Sequence, residues 1–542
     1  MTDEVHFNSH RSPVYARRGM IAASQPLAVG AGLQILEAGG NAADAAVTVA
    51  AALNVTEPSS TGLGGDCFAL YYDATTRQIS ALNGSGRAPA ALTLERVQQA
   101  GISGSLPPLH PYAITVPGAC AGWCDLIEKF GRLSMKRILA PAIHLAEEGF
   151  PVAPLTAWFW RRSAQKLLAQ SLNGTELTID GRGPAAGELF RNPGLAHTLR
   201  AIAEGGKEAY YTGEIAKGIV AIIHEASGCM SLDDLATHTS TWEQPLSVAY
   251  RGLRVWECPP NGQGLVALLA LNILEGFNLA GLPPLSAERL HLEIEALRLA
   301  FGDALQHVAD PAFYAIPLEE LLSSDYAAKR RALIRPGEAL KDVSTGISHP
   351  GNDTVYFCVV DGEGNACSFI NSNYMGFGTG IVPRGWGFTL QNRGCNFRLD
   401  PGHPNQLEPR KRPYHTIIPA LLTREDGSLY GPFGVMGGFM QPQGHVQTLV
   451  AMLDDALDPQ AALDQPRFCL DVEHDPTDIL LEESLPAATI KELQDYGHPV
   501  KLIGGMERSH FGRGQIIRRD PATGVLCGGS DPRADGCAMG LS

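Results

Sequence analysis

One threonine in this sequence stands where its type and surroundings could give it catalytic chemistry. Thr354 begins the apolar run TVYFCVV, and it follows a segment of about 335–352 that is rich in Gly, Pro and Ser. A threonine becomes a nucleophile when it is an N-terminal residue, because its own α-amine then lies within reach of its Oγ. An α-amine titrates near ~7.7–8.0, which suits a general base at neutral pH. Taken alone, the pattern still favours an ordinary β-branched residue that starts a strand.

Other motifs point away from nucleotide, metal and serine-hydrolase chemistry. The glycine-rich segments at 61–68, 376–380 and 434–439 lack the GK[ST] ending of a P-loop, and none is a GxGxxG that opens a helix after a strand. There is no GxSxG elbow and no HExxH motif. The 11 cysteines are an odd number without a CxxC pair, which predicts reduced, mostly buried thiols. We therefore expect no cofactor and no metal.

Composition predicts a compact, loop-rich, soluble enzyme. The 542 residues are 44% hydrophobic, which is ample for a buried core. The 42 Lys and Arg residues against 57 Asp and Glu residues give a net charge of −15, which argues against a nucleic-acid partner. The N-terminal region lacks the apolar stretch of ~7–15 residues found in secretory signals, and no run approaches the ~18 apolar residues of a membrane span. We expect a cytoplasmic protein without a membrane partner.

Hydrophobic periodicity predicts the elements that must position Thr354. A helix is expected over 25–38, ended by two glycines, and Asn41 is placed to cap a second helix over 42–53. The runs CFALYY and ISAL around DATTR indicate a strand pair. The region 136–340 is expected to be mostly helical.

The run TVYFCVV is apolar on both faces, which suits a central strand covered on each side. The turn DGEGN and the run ACSFIN then complete an antiparallel hairpin. Further strands are expected around 387–390, 417–422 and 430–435, followed by a helix over 443–453.

Longer motifs resemble the γ-glutamyltransferase family of N-terminal-nucleophile hydrolases, and they run in the family's order from about Gly19 to Gly536. They include TGLGGDCFALYYD, TVPGACAGW, DTVYFCVVDGEGNACSFINSNYMGFGTGIV, KRPYHTIIPALL, GVMGGFMQPQGHVQ, DQPRF and GGSDPRADG. The resemblance implies an α+β fold, a four-layer αββα sandwich of two antiparallel sheets between helical layers. It also implies an inactive precursor that cleaves its own chain between Asp353 and Thr354. Fragments 1–353 and 354–542 would remain associated as a heterodimer in one intertwined domain, and a higher oligomer is left open.

The resemblance also assigns roles within the site. Thr354 would attack the preceding carbonyl, and the freed residue would then attack a substrate amide to form an acyl-enzyme. Ser372 falls where the family has a second hydroxyl that bonds to the nucleophile. Gly437 and Gly438 match the glycines whose N–H groups form the oxyanion hole. The run TGLGGDCF would be a glycine-rich turn packed near the site.

The substrate-binding positions depart from the γ-glutamyl pattern. In the family an Arg-x-x-Ala-Pro motif binds the glutamyl α-carboxylate, whereas here Ser85 replaces that arginine, and whether Arg87 reaches the site is left open. The remaining changes are Asn396 for the acidic residue that binds the amine, Arg393 for Gln, Tyr374 for Asn, and His415 and Thr416 for Ser-Ser. Losing the acidic residue removes the preference for an α-amino group. Gaining Arg393 supplies a planar fork for a carboxylate.

These changes predict an amidohydrolase acting on a small carboxylate-bearing amide, with oxamate as the favoured type. The motifs are most similar to a branch with acylase-like proteins and oxamate amidohydrolase. The segment 405–411 is much shorter than in members with a long lid, and an open site would favour hydrolysis over transpeptidation. Two alternatives remain: γ-glutamyl hydrolase or transpeptidase activity on glutathione or related amides, and a non-catalytic ligand-binding paralogue.

Overall fold

The computed structural model of the chain describes residues 11–340, 353–472 and 478–542. The strands in these ranges are short to medium in length. They are β1 Val14–Ala16, β2 Gly19–Ala23, β3 Asp66–Tyr72, β4 Ile79–Gly84, β5 Phe150–Pro151, β6 Leu189–Phe190, β7 Thr241–Glu243, β8 Leu246–Tyr250, β9 Leu253–Glu257, β10 Asp353–Asp361, β11 Ala366–Tyr374, β12 Ala420–Arg424, β13 Leu429–Met436, β14 Phe468–Leu470, β15 Ile479–Glu482, β16 Val500–Ile503, β17 Arg513–Arg519, β18 Leu526–Ser530 and β19 Cys537–Leu541.

The helices of the described ranges lie outside these strands on both sides of the molecule. They are α1 Pro26–Glu37, α2 Ala42–Thr56, α3 Leu94–Gln99, α4 Ala119–Phe130, α5 Met135–Glu148, α6 Pro154–Ser163, α7 Pro193–Tyr211, α8 Glu214–Glu225, α9 Leu232–Ala236, α10 Gly264–Leu274, α11 Ala287–His307, α12 Leu318–Leu321, α13 Ser324–Arg331, α14 Met440–Leu453, α15 Pro459–Asp464 and α16 Ala487–Asp495. In the described part of the chain, none of them is both long and apolar enough to cross a bilayer.

Two seven-stranded antiparallel sheets form the centre of the fold. One has the order β1-β18-β17-β13-β12-β9-β8, and the other has the order β19-β2-β10-β11-β3-β4-β7. The sheets pack face to face where β10 meets β13 and β17. At this contact a Cβ at Gly434 would lie 2.6 Å from the Tyr356 ring, so the absence of a side chain lets the sheets approach.

Helical layers cover the two outer faces of the sheets. Helices α1, α2 and α4 pack on the sheet that contains β10, while α10, α14 and α15 pack on the sheet that contains β13. Two large apolar clusters fill the spaces between these layers. The order of layers is therefore helix, sheet, sheet, helix, which confirms the expected αββα sandwich.

The central hairpin also has the expected form. Strands β10 and β11 pair antiparallel from Val355 opposite Asn371 to Val360 opposite Ala366. Helix α2 covers one face of β10 and β13 covers the other, which explains why the run TVYFCVV is apolar at every position. Asn41 caps α2 with a reciprocal capping box, as its position predicts.

Several sequence expectations need correction. The run 387–390 is not a strand; Leu390 forms a single bridge with Gly64, and Gly387 at φ 68 breaks the extended backbone. The strand expected at 417 begins at Ala420. The mostly helical middle also contains the hairpin β8–β9, which completes the edge of one central sheet. Both of its strands have only five residues, too short for periodicity to distinguish.

Two remaining features are the segment that precedes Thr354 and the cysteines. Of the segment 335–352, which is rich in Gly, Pro and Ser, residues 335–340 are described and 341–352 lie outside the described residues. The eleven cysteines are free and most are buried, as predicted.

Candidate active site

The hydroxyl groups of Thr354 and Ser372 meet across the central hairpin. Their Oγ atoms lie 3.0 Å apart, and both side chains are buried. The register of β10 and β11 shifts between Asp353 and Val355, where a bulge interrupts the ladder. A bulge redirects a side chain that regular pairing would place elsewhere. Here it brings the two hydroxyl groups within hydrogen-bond distance.

Two donors point at the Ser372 oxygen. The Tyr374 N–H donates to Ser372 Oγ at 2.8 Å, and Arg393 Nη2 donates to it at 3.3 Å. Tyr374 adopts φ 76, a left-handed conformation that costs a bulky residue free energy and marks many functional sites. These contacts hold the Ser372 hydroxyl in place beside Thr354 Oγ1.

Gly437 and Gly438 form the turn between β13 and α14. Their φ angles are 136 and 58, values that glycine adopts without strain. The turn is held from outside, because Gln263 Nε2 donates to Gly438 O at 2.9 Å and to Thr416 O at 2.7 Å. The N–H groups of such a turn, at the N-terminal end of a helix, suit the stabilisation of an oxyanion.

Arg393 is a buried cation in the same site. Its Nη1 donates to Thr416 Oγ1 at 2.6 Å, and its guanidinium stacks over the Tyr374 ring at 4.2 Å. Burial lowers its pKa to about 10, so it remains charged at neutral pH. The buried Nε–H has no hydrogen-bond partner, and the described side chains supply no ion-pair partner to this guanidinium. A buried guanidinium in this state is costly unless a further partner completes its hydrogen bonds.

His415 is turned toward Asp66 rather than toward Arg393. His415 Nε2 donates to Asp66 Oδ2 at 3.0 Å, and the Ile417 N–H donates to His415 Nδ1 at 3.3 Å. Burial, with help from the charge of Arg393, lowers the pKa of His415 to about 3. The imidazole is neutral at physiological pH, and its two contacts fix the Nε2–H tautomer.

The remaining positions compared with the family pattern are Asn396, Ser85 and Arg87, and each makes a hydrogen bond within the protein. Asn396 Nδ2 donates to Tyr414 O at 3.1 Å, while its buried Oδ1 has no partner among the described residues. Ser85 Oγ donates to Asn83 Oδ1 at 2.7 Å. Arg87 Nη1 donates to Thr239 O at 3.2 Å, so its side chain makes a structural contact.

Sequence reasoning missed several polar residues that organise the site. Asp66 and Gln391 are both completely buried and bonded to each other at 2.9 Å, and Gln263 supports two backbone carbonyls. The signal for Asp66 was present, since a carboxylate stands directly after two glycines in an apolar run. That run was interpreted only as a glycine-rich turn.

One group of potential metal ligands lies together among the described residues, away from Thr354 in the sequence. It consists of His291, Glu295 and His498, all buried. His291 Nδ1 contacts His498 Nε2 at 2.8 Å, and its Nε2 donates to Arg335 O. Arg298 Nη1 lies 3.2 Å from Glu295 Oε1. Because the contact between the two rings occupies a nitrogen of each and a cation holds the carboxylate, hydrogen bonding accounts for this cluster.

The uncut chain does not show an open site. Thr354 is 1% exposed, and Ser372 and Arg393 are not exposed at all. The open site that the short segment 405–411 predicts is therefore not seen around these side chains in the uncut chain.

Comparisons with known proteins agree over nearly the whole chain. Residues 28–541 match the family described as Gamma-glutamyltranspeptidase. The chain is 37% identical to the glutathione hydrolase-like YwrD proenzyme of Bacillus subtilis, covering 97% of this chain and 99% of that protein. It is 33% identical to the oxamate amidohydrolase proenzyme of Klebsiella pneumoniae, covering 98% and 100%. The crystal structure of cephalosporin acylase from Bacillus halodurans is 45% identical, with a TM-score of 0.93 over 100% of this chain and 99% of that one.

Proposed function

Because this chain belongs to the gamma-glutamyltranspeptidase family of N-terminal-nucleophile hydrolases, we propose that it is a self-cleaving threonine amidohydrolase for small carboxylate-bearing amides. Oxamate-type amides are the favoured substrates. The observation that carries this proposal is Arg393, a fully buried guanidinium that lacks an ion-pair partner in the described part of the chain. A carboxylate on the substrate would complete its hydrogen bonds and form the direct ion pair that the described side chains do not supply.

Maturation would use the contact between the two hydroxyl groups. Thr354 Oγ attacks the carbonyl carbon of Asp353, its proton passes to the Thr354 nitrogen, and the peptide C–N bond breaks to leave an ester. Water then hydrolyses this ester. The products are a carboxylate at 353 and a free α-amine on Thr354. We thus propose the fragments 1–353 and 354–542, associated as a heterodimer. The names of the relatives, which describe proenzymes, support this step.

In the mature enzyme the α-amine of Thr354 would accept the Oγ proton as Oγ attacks the substrate carbonyl. The N–H groups of Gly437 and Gly438 would hold the developing oxyanion. The proton then passes to the leaving amine as the C–N bond breaks. Water attacks the resulting ester by the same route in reverse, which releases the acid and restores Thr354. Ser372 orients the nucleophile throughout.

The spacing of the site favours a short acyl group. Ser372 Oγ contacts both Thr354 Oγ1, at 3.0 Å, and Arg393 Nη2, at 3.3 Å. A carboxylate held by Arg393 therefore lies close to the carbonyl that Thr354 attacks. An acyl group with its carboxylate directly beside the scissile amide, as in oxamate, fits this separation without folding back on itself. The similarity to an oxamate amidohydrolase supports the same substrate class.

A second candidate is hydrolysis or transfer of a γ-glutamyl group. The relative with a glutathione hydrolase-like name favours it. Against it stand the neutral Asn396, in place of a carboxylate for the amine, and Ser85, whose hydroxyl is bonded to Asn83. The non-catalytic paralogue has less support, since the acylase and amidohydrolase relatives are enzymes.

The test combines maturation with a substrate comparison. Purified protein should give two fragments on a denaturing gel, and Edman sequencing of the smaller one should begin Thr-Val-Tyr-Phe. The matured protein should hydrolyse oxamate faster than glutaryl or γ-glutamyl anilides. Faster hydrolysis of the γ-glutamyl anilide would favour the second candidate. A single unbroken chain after prolonged incubation would contradict both and favour a binding protein.

A further inference from the structure

The carboxylate of Asp66 is buried below the site and is surrounded by donors. The N–H groups of Gly86 and Gly118 donate to Asp66 Oδ1 at 3.0 and 3.1 Å, and Gln391 Nε2 donates to the same atom at 2.9 Å. His415 Nε2 donates to Oδ2 at 3.0 Å. Four donors favour the ionised form of a carboxylate, even where solvent is excluded. Asp66 therefore supplies a fixed negative charge inside the protein.

His415 connects the surroundings of Asp66 and Arg393: its Nε2 bonds to Asp66, and its neighbour in sequence, Thr416, accepts a hydrogen bond from Arg393 Nη1 at 2.6 Å. Its imidazole interacts electrostatically with both groups, with Arg393 lowering and Asp66 raising the pKa of the ring. The charge of Asp66 in turn raises the pKa of Arg393, which burial lowers. Within the described residues, Asp66 supplies the only carboxylate charge that acts on Arg393 in this way. Two opposite buried charges therefore share one pocket, with the neutral ring of His415 bonded to one of them.

We propose that Asp66 is a specificity-determining residue of this site: it is the buried countercharge of Arg393 and limits how much negative charge the acyl pocket accepts. This inference rests on the proposed binding of a substrate carboxylate by Arg393. At rest the two charges cancel, and a single substrate carboxylate brings the group to one net negative charge. A second negative charge on the ligand would meet the uncompensated field of Asp66. The pocket would therefore select monoanionic amides, such as oxamate, over dianionic ligands.

The inhibition constant of a dianion should change in opposite directions in an Asp66 variant, depending on whether Asp66 acts through its charge or only through packing. Asp66→Asn keeps the shape of the side chain and the acceptor for the two backbone N–H groups, but it removes the charge. We expect the inhibition constant of oxalate, a small dianion, to fall about tenfold in the cleaved variant, because a repulsive charge is lost. Damage to the packing would raise that constant. An unchanged or raised constant in folded, cleaved Asp66→Asn would overturn the proposal.

A matched control is available in a second buried carboxylate–imidazole pair. Glu257 Oε1 lies 2.7 Å from His445 Nδ1, and neither side chain is exposed. Glu257→Gln removes a comparable buried charge that does not act on Arg393. We expect its oxalate inhibition constant to stay within about twofold of the wild-type value. A fall as large as that of Asp66→Asn would show a general effect and contradict the specific role.

Thermal unfolding tests the charge balance without a ligand and covers the case in which Asp66→Asn fails to fold. The variants are Asp66→Asn, Arg393→Gln and the double variant. If the two charges compensate each other, removing one leaves the other unbalanced, so the double variant should be more stable than the sum of the single effects predicts. Additive losses, or no rescue of a variant that fails to fold, would overturn the inference. Failure of the cleaved wild-type enzyme to hydrolyse oxamate would instead contradict the proposed function.

Discussion

Two regions meet at Thr354, and they are built in different ways. The catalytic hairpin consists of β10 and β11, whose ladder carries Thr354 and Ser372 on neighbouring strands. The recognition wall, residues 391–396 and 412–416, contains no strand of the central sheets, and its regular structure is one 3₁₀ turn, Arg393–Asn396. Its polar side chains are held by individual hydrogen bonds, such as those from Arg393 to Thr416 and from Asn396 to Tyr414.

The difference shows how one fold supports different substrates. The hairpin is fixed by pairing along its whole length and by apolar packing on both faces, so changes there affect the reaction itself. The wall depends on a few buried polar contacts, so single substitutions can exchange one charge pattern for another while the sheets remain intact. Substitutions in the hairpin should therefore alter kcat, and those in the wall should alter KM.

The largest effect is expected from the nucleophile. Thr354→Ala removes the Oγ that we propose as the nucleophile of both the self-cleavage and the acyl transfer. We expect an uncut chain and a loss of activity of roughly 10⁴-fold or more, measured on a denaturing gel and by amide hydrolysis. Thr198→Ala, another buried threonine, is the control and should be cleaved normally. Normal cleavage of Thr354→Ala would show that another residue is the nucleophile.

A smaller loss is expected from the oxyanion turn. Gly438→Ala forces a side chain onto a residue at φ 58 and tilts the N–H groups that face the oxyanion. We expect kcat to fall by ~10²–10³-fold with little change in KM. Gly206→Ala is the matched control, because Gly206 has φ 56 and open space around a new Cβ. Equal losses of kcat in both variants would attribute the effect to strain alone.

In the recognition wall the expected change is in KM. Arg393→Gln removes the cation that binds the substrate carboxylate, so KM for oxamate should rise roughly 10- to 100-fold while self-cleavage continues. Arg393→Lys keeps the charge but loses the planar fork, and its KM should lie between the two. The comparison between hairpin and wall fails if Arg393→Gln lowers kcat and leaves KM unchanged.

The smallest effects are expected in the pH profile of kcat/KM. Its acid limb should report the catalytic hairpin, and its alkaline limb should report the recognition wall. The acid limb of kcat/KM should report the α-amine of Thr354, with an apparent pKa of roughly 7–8, because only the neutral amine accepts a proton. The alkaline limb should report Arg393, whose pKa is about 10: above it the guanidinium loses its charge and carboxylate binding weakens. Arg393→Gln should abolish the alkaline limb and retain the acid one. A profile flat from pH 5 to 9 would contradict the amine as base.

The sequence anticipated the fold best where local physics and tertiary packing agree. Asn41 predicts the start of α2, because a capping side chain bonds to the backbone N–H groups of residues close to it in the sequence. The run at 354–360 predicts a strand covered on both faces, because it carries apolar residues on both faces. The failures lie where long-range contacts override local preference: 387–390 lacks a paired neighbour beyond one bridge, and β8–β9 is recognisable only within the sheet it completes.

Sequence alone therefore determined the family, the layered fold and the position of the candidate nucleophile, because apolar periodicity and ordered motifs are encoded locally along the chain. It also predicted Arg393 as a substrate-binding residue. Only the tertiary structure decided what this guanidinium faces. The charge of a residue can be read from the sequence, but its free energy depends on burial and on the partners that the fold brings to it. Asp66, for example, is hydrogen-bonded to His415, which lies 349 residues away along the chain.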